Sequence, residues 1–235
     1  MIGVTASTRP SLRLLFALPG MLSMVGYIRR LVRERRQQPR DDLISRLVGF
    51  EAGADRLTDD ELPAMIVVLL IAGYETTVNL ISTGMLLLLR DAPQLAHLRE
   101  HPASIANAVE ELLRLATPVD VATERYARED VTIGDVTIPR GALVLVNIIA
   151  ANTDERRFQH QPETLDLARE DNPHLAFGHG AHYCLGAPLA RMEGRIALGA
   201  LIQRLPSLSL AAPPESLRWR RALSLRSLES LPVRL

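Results

Sequence analysis

The sequence predicts a mainly α protein with small β-sheets, an α+β fold. A long apolar segment follows a helix-capping sequence, and two shorter segments each begin at a proline. Short β-branched runs separated by glycine and proline then follow, and one more helix-like segment lies near the C-terminus. These patterns favour helices that carry the core and short strands at its side.

Composition indicates an ordered globular protein. The 235 residues include 27 basic and 27 acidic side chains, with 47% hydrophobic and 23% charged residues. Such a chain is long enough for one or two domains and too apolar to be disordered. Its formal net charge of zero argues against a general nucleic-acid binder, which is normally basic.

The first segment shows no convincing targeting signal. Residues 1–20 are weakly patterned, because Pro19 and Gly20 break an apolar run at 14–18 and no small-residue cleavage site follows. Residues 21–36 have the pattern of an amphipathic helix that ends in arginines, whose charge suits the end of a helix. We therefore expect a separate N-terminal segment, 1–20, followed by one folded portion, 21–235.

The long helix begins at a capping box, the spacing formed by Thr58 and Glu61, and runs to Arg90. By length, residues 65–89 could span a bilayer. An acid near mid-bilayer, such as Glu75, costs at least ~2.5 kcal/mol. We therefore expect a helix buried on all sides in a protein core, with its central polar cluster facing a site.

The later elements follow from proline, glycine and β-branched residues. Pro93 and Pro102 each start a helix, and the second helix ends at Thr117-Pro118. Short strands are predicted in three runs and again after residue 207; the three runs are 123–125, 131–138 and 143–146. Residues 152–180 are predicted to be irregular, and a last helix opens at Cys184 or Leu185 and runs to about Arg204.

The single cysteine lies in a glycine-rich stretch, Phe-Gly-His-Gly-Ala-His-Tyr-Cys-Leu-Gly, at 177–186. Glycines on both sides of Cys184 allow a tight turn and the close approach of a flat ligand; they are Gly178, Gly180 and Gly186. The predicted position at the start of a helix favours the thiolate over the thiol. His182 could reach an anionic group beside whatever the sulfur binds.

Two other interpretations of this stretch are open. The first is a zinc site formed by His179, His182 and Cys184, although no fourth ligand is evident. The second is a cysteine nucleophile with His182 as its base, although no orienting acid or oxyanion-binding group is visible.

Residues 177–186 resemble the haem-binding loop of the cytochrome P-450 superfamily, Phe-Gly-x-Gly-x-His/Arg-x-Cys-x-Gly. The resemblance implies that Cys184 is the axial thiolate of haem b iron and that His182 donates to a haem propionate. It also assigns three further residues to the cofactor loop: Phe177, Gly178 and Gly186. An axial thiolate pushes electron density onto iron and favours O–O cleavage.

Residues 72–77, Ala-Gly-Tyr-Glu-Thr-Thr, resemble the oxygen-activation segment of the same superfamily. The resemblance places Ala72 and Gly73 at the haem and gives Glu75 and Thr76 the handling of protons. Adjacent side chains on a regular helix point about 100° apart. A shared proton path therefore needs a local opening of the helix or a bridging water. Without the resemblance, the two polar residues would be interpreted as a polar stripe on a core helix.

Two further segments support the resemblance. Glu111 and Arg114 match the Glu-x-x-Arg structural ion pair, whose usual third member is an arginine in a later Pro-x-Arg-x segment. This sequence has Thr164 at that position, so the triad is incomplete unless another group, such as Arg169, compensates. Arg125 resembles the arginine that binds the other propionate, which is the favoured interpretation. The alternative is an exposed strand arginine.

The resemblance runs from about residue 21 to residue 235 and is closest to soluble bacterial members. It implies a cytoplasmic haem monooxygenase with a small organic substrate, dioxygen and a separate electron donor, either a ferredoxin or a flavoprotein reductase. It implies no membrane or nucleic-acid partner. By the same resemblance, residues 119–123 would line the distal substrate pocket.

The superfamily's domain is longer than this chain. We therefore expect a cytochrome P-450 fold with its N-terminal half missing, one exposed face on the long helix, and a partner chain that could supply the missing half. The alternatives are a non-catalytic remnant with weak or no haem binding, and a helical interaction protein that reuses the fold. The sequence does not identify the substrate.

Overall fold

Helices form most of the regular structure in the computed structural model, which describes residues 12–49, 57–220, 222 and 224–235. Three two-stranded antiparallel sheets accompany them in this part of the chain. The predicted mainly α fold with small sheets is therefore confirmed. The residues up to Ala72 and those from Gly73 onward form two compact units, and each is described by itself.

The first unit contains α1 (Leu12–Gln37), α2 (Leu43–Gly49) and the beginning of α3 (Glu61–Arg90). Helix α1 begins before the predicted residue 21, and residues 1–11 lie outside the described part. The core of this unit consists of apolar side chains from α1 and α3: Ile28, Val32, Leu62 and Ile66.

The predicted capping box of α3 is confirmed. The Thr58 amide donates to Glu61 Oε2 at 2.8 Å, and the Glu61 amide donates to Thr58 Oγ1 at 3.2 Å. Two backbone donors at the helix start are thereby satisfied. The same hydrogen bonds lower the pKa of the Glu61 carboxyl.

The second unit continues with α4 (Ala92–Glu100), α5 (Ile105–Leu115), α6 (Ile148–Asn152) and α7 (Ala187–Arg204). Its core lies where α3, α5 and α7 meet. A methyl group added at Gly194 of α7 would lie 3.2 Å from Leu80 of α3 and 3.3 Å from Val109 of α5. The three helices therefore approach closely at that glycine.

Helix α7 begins later than predicted. Gly186 occupies its N-cap position, and the Ala190 amide donates to the Gly186 carbonyl at 2.9 Å. The prediction of a start at Cys184 or Leu185 is wrong, because Pro188 near the helix start favours a later first turn. Cys184 therefore lies in the loop just before the helix.

Helix α3 is not buried on all sides, as the sequence had suggested. It is long and apolar enough to cross a membrane by length and composition, and 17% of its most apolar window is buried. Val68, Ile71 and Tyr74 are 62%, 57% and 76% exposed, whereas Leu80 and Leu88 are buried. Leu80 packs near α5 and α7. The exposed apolar side chains confirm the expectation of one exposed face on the helix.

The strands form three short antiparallel pairs. β1 (Arg125–Tyr126) pairs with β4 (Leu143–Val144), β2 (Val131–Ile133) with β3 (Val136–Ile138), and β5 (Ser209–Leu210) with β6 (Val233–Arg234). Beyond α6, the chain has no helix or strand before the helical turn Gly180–His182, as predicted for this stretch.

Candidate functional site

A closed loop presents the single cysteine. The Cys184 amide donates to the Phe177 carbonyl at 2.9 Å, so the two ends of the loop are joined. Gly178 and Gly180 have φ values of +73° and +76°, a region that favours glycine. The Cys184 side chain is exposed. The loop therefore holds the thiol at its surface, just before the N-terminus of α7.

The other predicted residues of this loop fall in different surroundings. Phe177 is 9% exposed and belongs to the core, whereas His182 is exposed. A methyl group added at Gly180 would meet no atom within 4 Å, and one at Gly186 would lie 3.8 Å from Cys184 Sγ. Space is therefore open at Gly180, and Gly186 lies directly beside the sulfur.

An ion-pair network that the sequence did not reveal lies beside this loop. Arg191 of α7 donates through Nε and Nη2 to Glu110 of α5, with its shortest contacts at 2.8 Å. Its guanidinium carbon lies 4.6 Å from the Phe177 ring centroid, and Nη1 is 3.2 Å from Tyr183 Oη. Only adjacency to Glu111 in the sequence could have drawn attention to Glu110.

The charges in this network shift each other's protonation. Burial raises the pKa of Glu110, but hydrogen bonds from His174 and Arg191 outweigh it and bring the pKa to about 2. The hydrogen bond to Glu110 raises the pKa of Arg191. Glu110 therefore stays a carboxylate throughout the neutral range.

The predicted pair of Glu111 and Arg114 is present and fully buried. Arg114 donates through Nε at 2.8 Å and Nη2 at 2.6 Å to the two carboxylate oxygens. Its Nη1 donates to the carbonyls of Asn152 and Pro162. The buried cation thus has a partner for each side of its planar group, as burial of a charge requires.

A second arginine completes this cluster. Arg169 Nε lies 3.3 Å from Glu111 Oε2, and the Asn172 side-chain amide donates to the same oxygen at 3.1 Å. The side chain of Thr164 is on the exposed side, and its carbonyl lies 3.3 Å from Arg114 Nη2. Arg169 therefore takes the place next to Glu111 that the sequence pattern leaves open at Thr164.

The polar segment of α3 lies on an unbroken helix. Glu75 and Thr76 are half-buried, Ala72 and Gly73 are exposed, and a methyl group added at Gly73 would meet no atom within 4 Å. The local opening considered from the sequence is not seen. A proton path shared by Glu75 and Thr76 would therefore require a bridging water.

The neighbouring threonine ties α3 to α7. Thr77 Oγ1 donates to Glu193 Oε2 at 2.8 Å, a contact between residues far apart in the chain. Two residues further along α3, the side-chain nitrogen of Asn79 is buried without a hydrogen-bond partner. This part of the helix therefore has both a satisfied and an unsatisfied polar group.

Arg125 lies on β1 and is exposed. Its Nη1 donates to the carbonyls of Thr123 at 3.0 Å and Glu124 at 3.1 Å. The structure therefore places its guanidinium against its own strand segment, and no hydrogen bond joins it to the Cys184 loop within the described chain. Residues 119–123 are held by isolated bridges to Leu225 and Asn147.

The donor set around Cys184 restricts the chemistry. Within the described residues, no three His, Cys, Asp or Glu side chains come together as metal ligands, so the zinc interpretation lacks its ligand set. No hydrogen bond there joins His182 to Cys184, as a nucleophile and base would need. One exposed thiol with open space over glycines fits a metal whose other ligands come from a flat macrocycle.

Comparison with known proteins gives a consistent result. The family profile described as Cytochrome P-450 matches residues 96–228. Cytochrome P-450 107B1 of Saccharopolyspora erythraea is 48% identical over 213 residues, which are 91% of this chain and 52% of that protein. The 6-deoxyerythronolide B hydroxylase of the same organism is 46% identical over 213 residues, which are 90% of this chain and 52% of its own length.

Solved structures agree with these relatives. The ligand-free P-450 monooxygenase TamI superposes with a TM-score of 0.89 at 45% identity, over 93% of this chain and 53% of that chain. The chain spans about half the length of the curated relatives it matches.

Proposed function

This chain belongs to the cytochrome P-450 family, and on that premise we propose that it carries the thiolate-bearing part of a haem-dependent monooxygenase. The reaction is the insertion of one oxygen atom from dioxygen into a small organic substrate. The observation that carries the proposal is the closed loop that presents the exposed Cys184 thiol. Fold similarity alone would not be enough, because one fold can host several functions.

Cys184 would hold haem b through its thiolate. A bound haem would supply the activation of dioxygen, which a thiolate ligand favours. Helix α7 begins just after the loop, so the thiol lies near the N-terminus of that helix. Phe177, Gly178 and Gly186 shape the loop around the sulfur.

His182 and Arg125 are proposed to hold the two propionates. Both side chains are exposed, and a guanidinium can bind a carboxylate through two parallel hydrogen bonds. Arg125 would have to exchange its donation to the Thr123 carbonyl for the propionate. Because of this exchange, we expect the loss of the Arg125 side chain to weaken haem uptake less than the loss of the His182 side chain.

Glu75 and Thr76 are proposed to hold and transfer protons on the α3 side, with Ala72 and Gly73 leaving room beside them. The helix is unbroken, so a water between the carboxylate and the hydroxyl would relay the proton. A separate ferredoxin or flavoprotein reductase would provide the electrons. We place the reaction in the cytoplasm.

A second candidate function is a helical interaction protein that reuses the fold. Tyr74, Leu185 and Ile196 are 76%, 82% and 65% exposed, and exposed apolar side chains of this size often mark contact surfaces. A partner chain would cover these side chains.

Haem titration separates the two functions. The chain is titrated with haem, reduced and exposed to carbon monoxide, and the Soret band is recorded. The proposal expects a thiolate-type band that Cys184→Ala abolishes. His182→Ala should weaken haem uptake, and His179→Ala, in the same loop, serves as the matched control. A chain that takes up no haem, or a band that survives Cys184→Ala, contradicts the proposal.

The proton role is tested in the haem-loaded chain together with a reductase. Thr76→Ala should raise the share of oxygen consumed without product, whereas Thr76→Ser should restore coupling. Unchanged coupling in Thr76→Ala would remove the threonine from the proton path.

A further inference from the structure

We propose that Glu110 is a positioning residue for the Cys184 loop and acts through Arg191 and His174. The inference rests on the proposed function only in identifying this loop as the one that carries the thiolate ligand. Glu110 does not touch Cys184. Its effect would pass through side chains that contact the loop at Phe177 and Tyr183.

Glu110 and Glu111 are adjacent on α5 but have separate partners. Glu111 is fully buried and receives Arg114 and Arg169. Glu110, whose side chain is 24% exposed, receives Arg191 instead. Since neighbouring side chains on a helix point in different directions, the two carboxylates serve two different regions. Glu110 is therefore not part of the buried ion pair.

Arg191 connects the carboxylate to both ends of the loop. Two of its nitrogens, Nε and Nη2, donate to Glu110, which fixes the plane of the guanidinium. In that plane the guanidinium lies against the Phe177 ring, and its remaining nitrogen reaches Tyr183 Oη. The Phe177 and Tyr183 rings also meet edge to face, with centroids 6.3 Å apart.

His174 holds the carboxylate from the other side. The Ala176 amide donates to His174 Nδ1 at 3.2 Å, which assigns the ring proton to Nε2. That nitrogen lies 3.2 Å from Glu110 Oε2, and the side chain is 3% exposed. The ring centroid lies 5.9 Å from that of Phe177. Glu110 thus joins α7 to the segment that enters the loop.

The hydrogen bond from the Cys184 amide to the Phe177 carbonyl is the expected point of failure. It closes the loop, and Phe177 is held by the guanidinium that Glu110 orients. Without the carboxylate, Arg191 is free to turn toward solvent. The loop should then open locally while the helices of the core stay closed.

Hydrogen exchange of the Cys184 amide in the chain without added haem tests the proposal directly. Glu110→Gln should speed this exchange roughly tenfold, the ratio expected for one lost charge-assisted hydrogen bond. Amides in the middle of α5 and α7 should exchange as before. The control is Asp171→Asn, which removes the carboxylate of a similar pair with Arg157, at 2.9 Å and 2.9 Å, in the irregular segment.

Two further variants keep the result interpretable if Glu110→Gln unfolds. Arg191→Lys retains a cation but lacks the planar guanidinium that lies against the Phe177 ring, so it should also speed exchange of the Cys184 amide. Glu110→Asp retains the charge and should restore part of the protection. Unchanged exchange at Cys184 in both Glu110→Gln and Arg191→Lys would overturn the proposal, and so would equal acceleration across all helices.

A spectroscopic readout distinguishes this proposal from the proposed function. If the chain binds haem, Glu110→Gln should give a mixed Soret band in the reduced carbon monoxide complex, with less of the thiolate-type component. If the chain binds no haem, the proposed function fails, and the exchange result alone decides whether Glu110 positions the loop.

Discussion

Arg169 Nε lies 3.3 Å from Glu111 Oε2, although the sequence pattern places the usual partner at Thr164. The Arg169 side chain is 9% exposed, so its contact with the carboxylate is largely shielded from water. The cluster around Glu111 therefore contains two arginines, one from α5 and one from the irregular segment. This arrangement anchors that segment to the helix.

Arg169→Gln should lower the free energy of unfolding by about 1.5–3 kcal/mol, the range for a hydrogen bond to a charged group. Urea denaturation measures this change. Thr164→Arg is the comparison, because its side chain is exposed and Glu111 already has its partners; it should change stability by less than about 1 kcal/mol. A larger loss in Thr164→Arg than in Arg169→Gln would contradict this account.

Arg114→Met should be more damaging than Arg169→Gln. It leaves Glu111 buried with its main partner removed, and loss of one member of a buried pair costs about 3–5 kcal/mol. The carbonyls of Asn152 and Pro162 also lose their donor. Circular dichroism during urea denaturation should show the loss, and a variant as stable as the parent chain would show that the pair is dispensable.

Two glycines of α7 should respond oppositely to alanine. Gly194→Ala places a methyl group 3.2 Å from Leu80 and 3.3 Å from Val109, so overpacking should cost about 1–3 kcal/mol. Gly199→Ala meets its first neighbour at 3.8 Å and should gain about 0.5–1 kcal/mol from helix propensity. Thermal unfolding of both variants tests the packing, and a stabilised Gly194→Ala would show that α3 and α5 can move apart.

Glu110 should make stability depend on acid pH. Its folded pKa is about 2 and its ordinary value is 4.5, so the folded state holds the carboxylate more favourably than the unfolded chain. This contribution is present above pH 4.5 and is lost as the pH falls toward 2. Between these pH values, the free energy of unfolding should change less with pH for Glu110→Gln than for the parent chain. Parallel curves would exclude a coupling between this carboxyl and folding.

Thr77→Val should loosen the junction of α3 and α7. The substitution keeps the shape but removes the donor to Glu193 Oε2, and a bond to a charged group contributes about 1.5–3 kcal/mol. Because Thr77 is only half-buried, the lower figure is expected. Thr77→Ser keeps the hydroxyl and should stay within about 0.5 kcal/mol of the parent chain in urea denaturation; equal losses in the two variants would point to packing instead.

Local signals in the sequence were sufficient where the structure depends on near neighbours. The capping box of Thr58 and Glu61 and the helix that begins near Pro93 involve residues within one turn of each other. Contacts between distant residues were not predictable. Arg191 meets Glu110 across 81 positions and Thr77 meets Glu193 across 116, and nothing in composition or periodicity pairs them.

The burial of α3 shows a second limit of prediction from sequence. A uniformly apolar helix was interpreted as a core helix, but apolar composition does not say which neighbours exist. Leu80 packs near α7, while Tyr74, less than two turns earlier, is 76% exposed. The predicted start of α7 at Cys184 or Leu185 likewise differs from the observed start at Ala187, because the first turn of a helix depends on its cap.

The single exposed thiol of Cys184 also limits which disulfides the chain can form. With one cysteine per molecule, air oxidation can link two molecules through a disulfide and then stops. Covalent oligomers larger than a dimer cannot form by this route. A thiol-directed fluorophore or spin label would consequently attach at Cys184 alone. Its signal would report on the loop at 177–186.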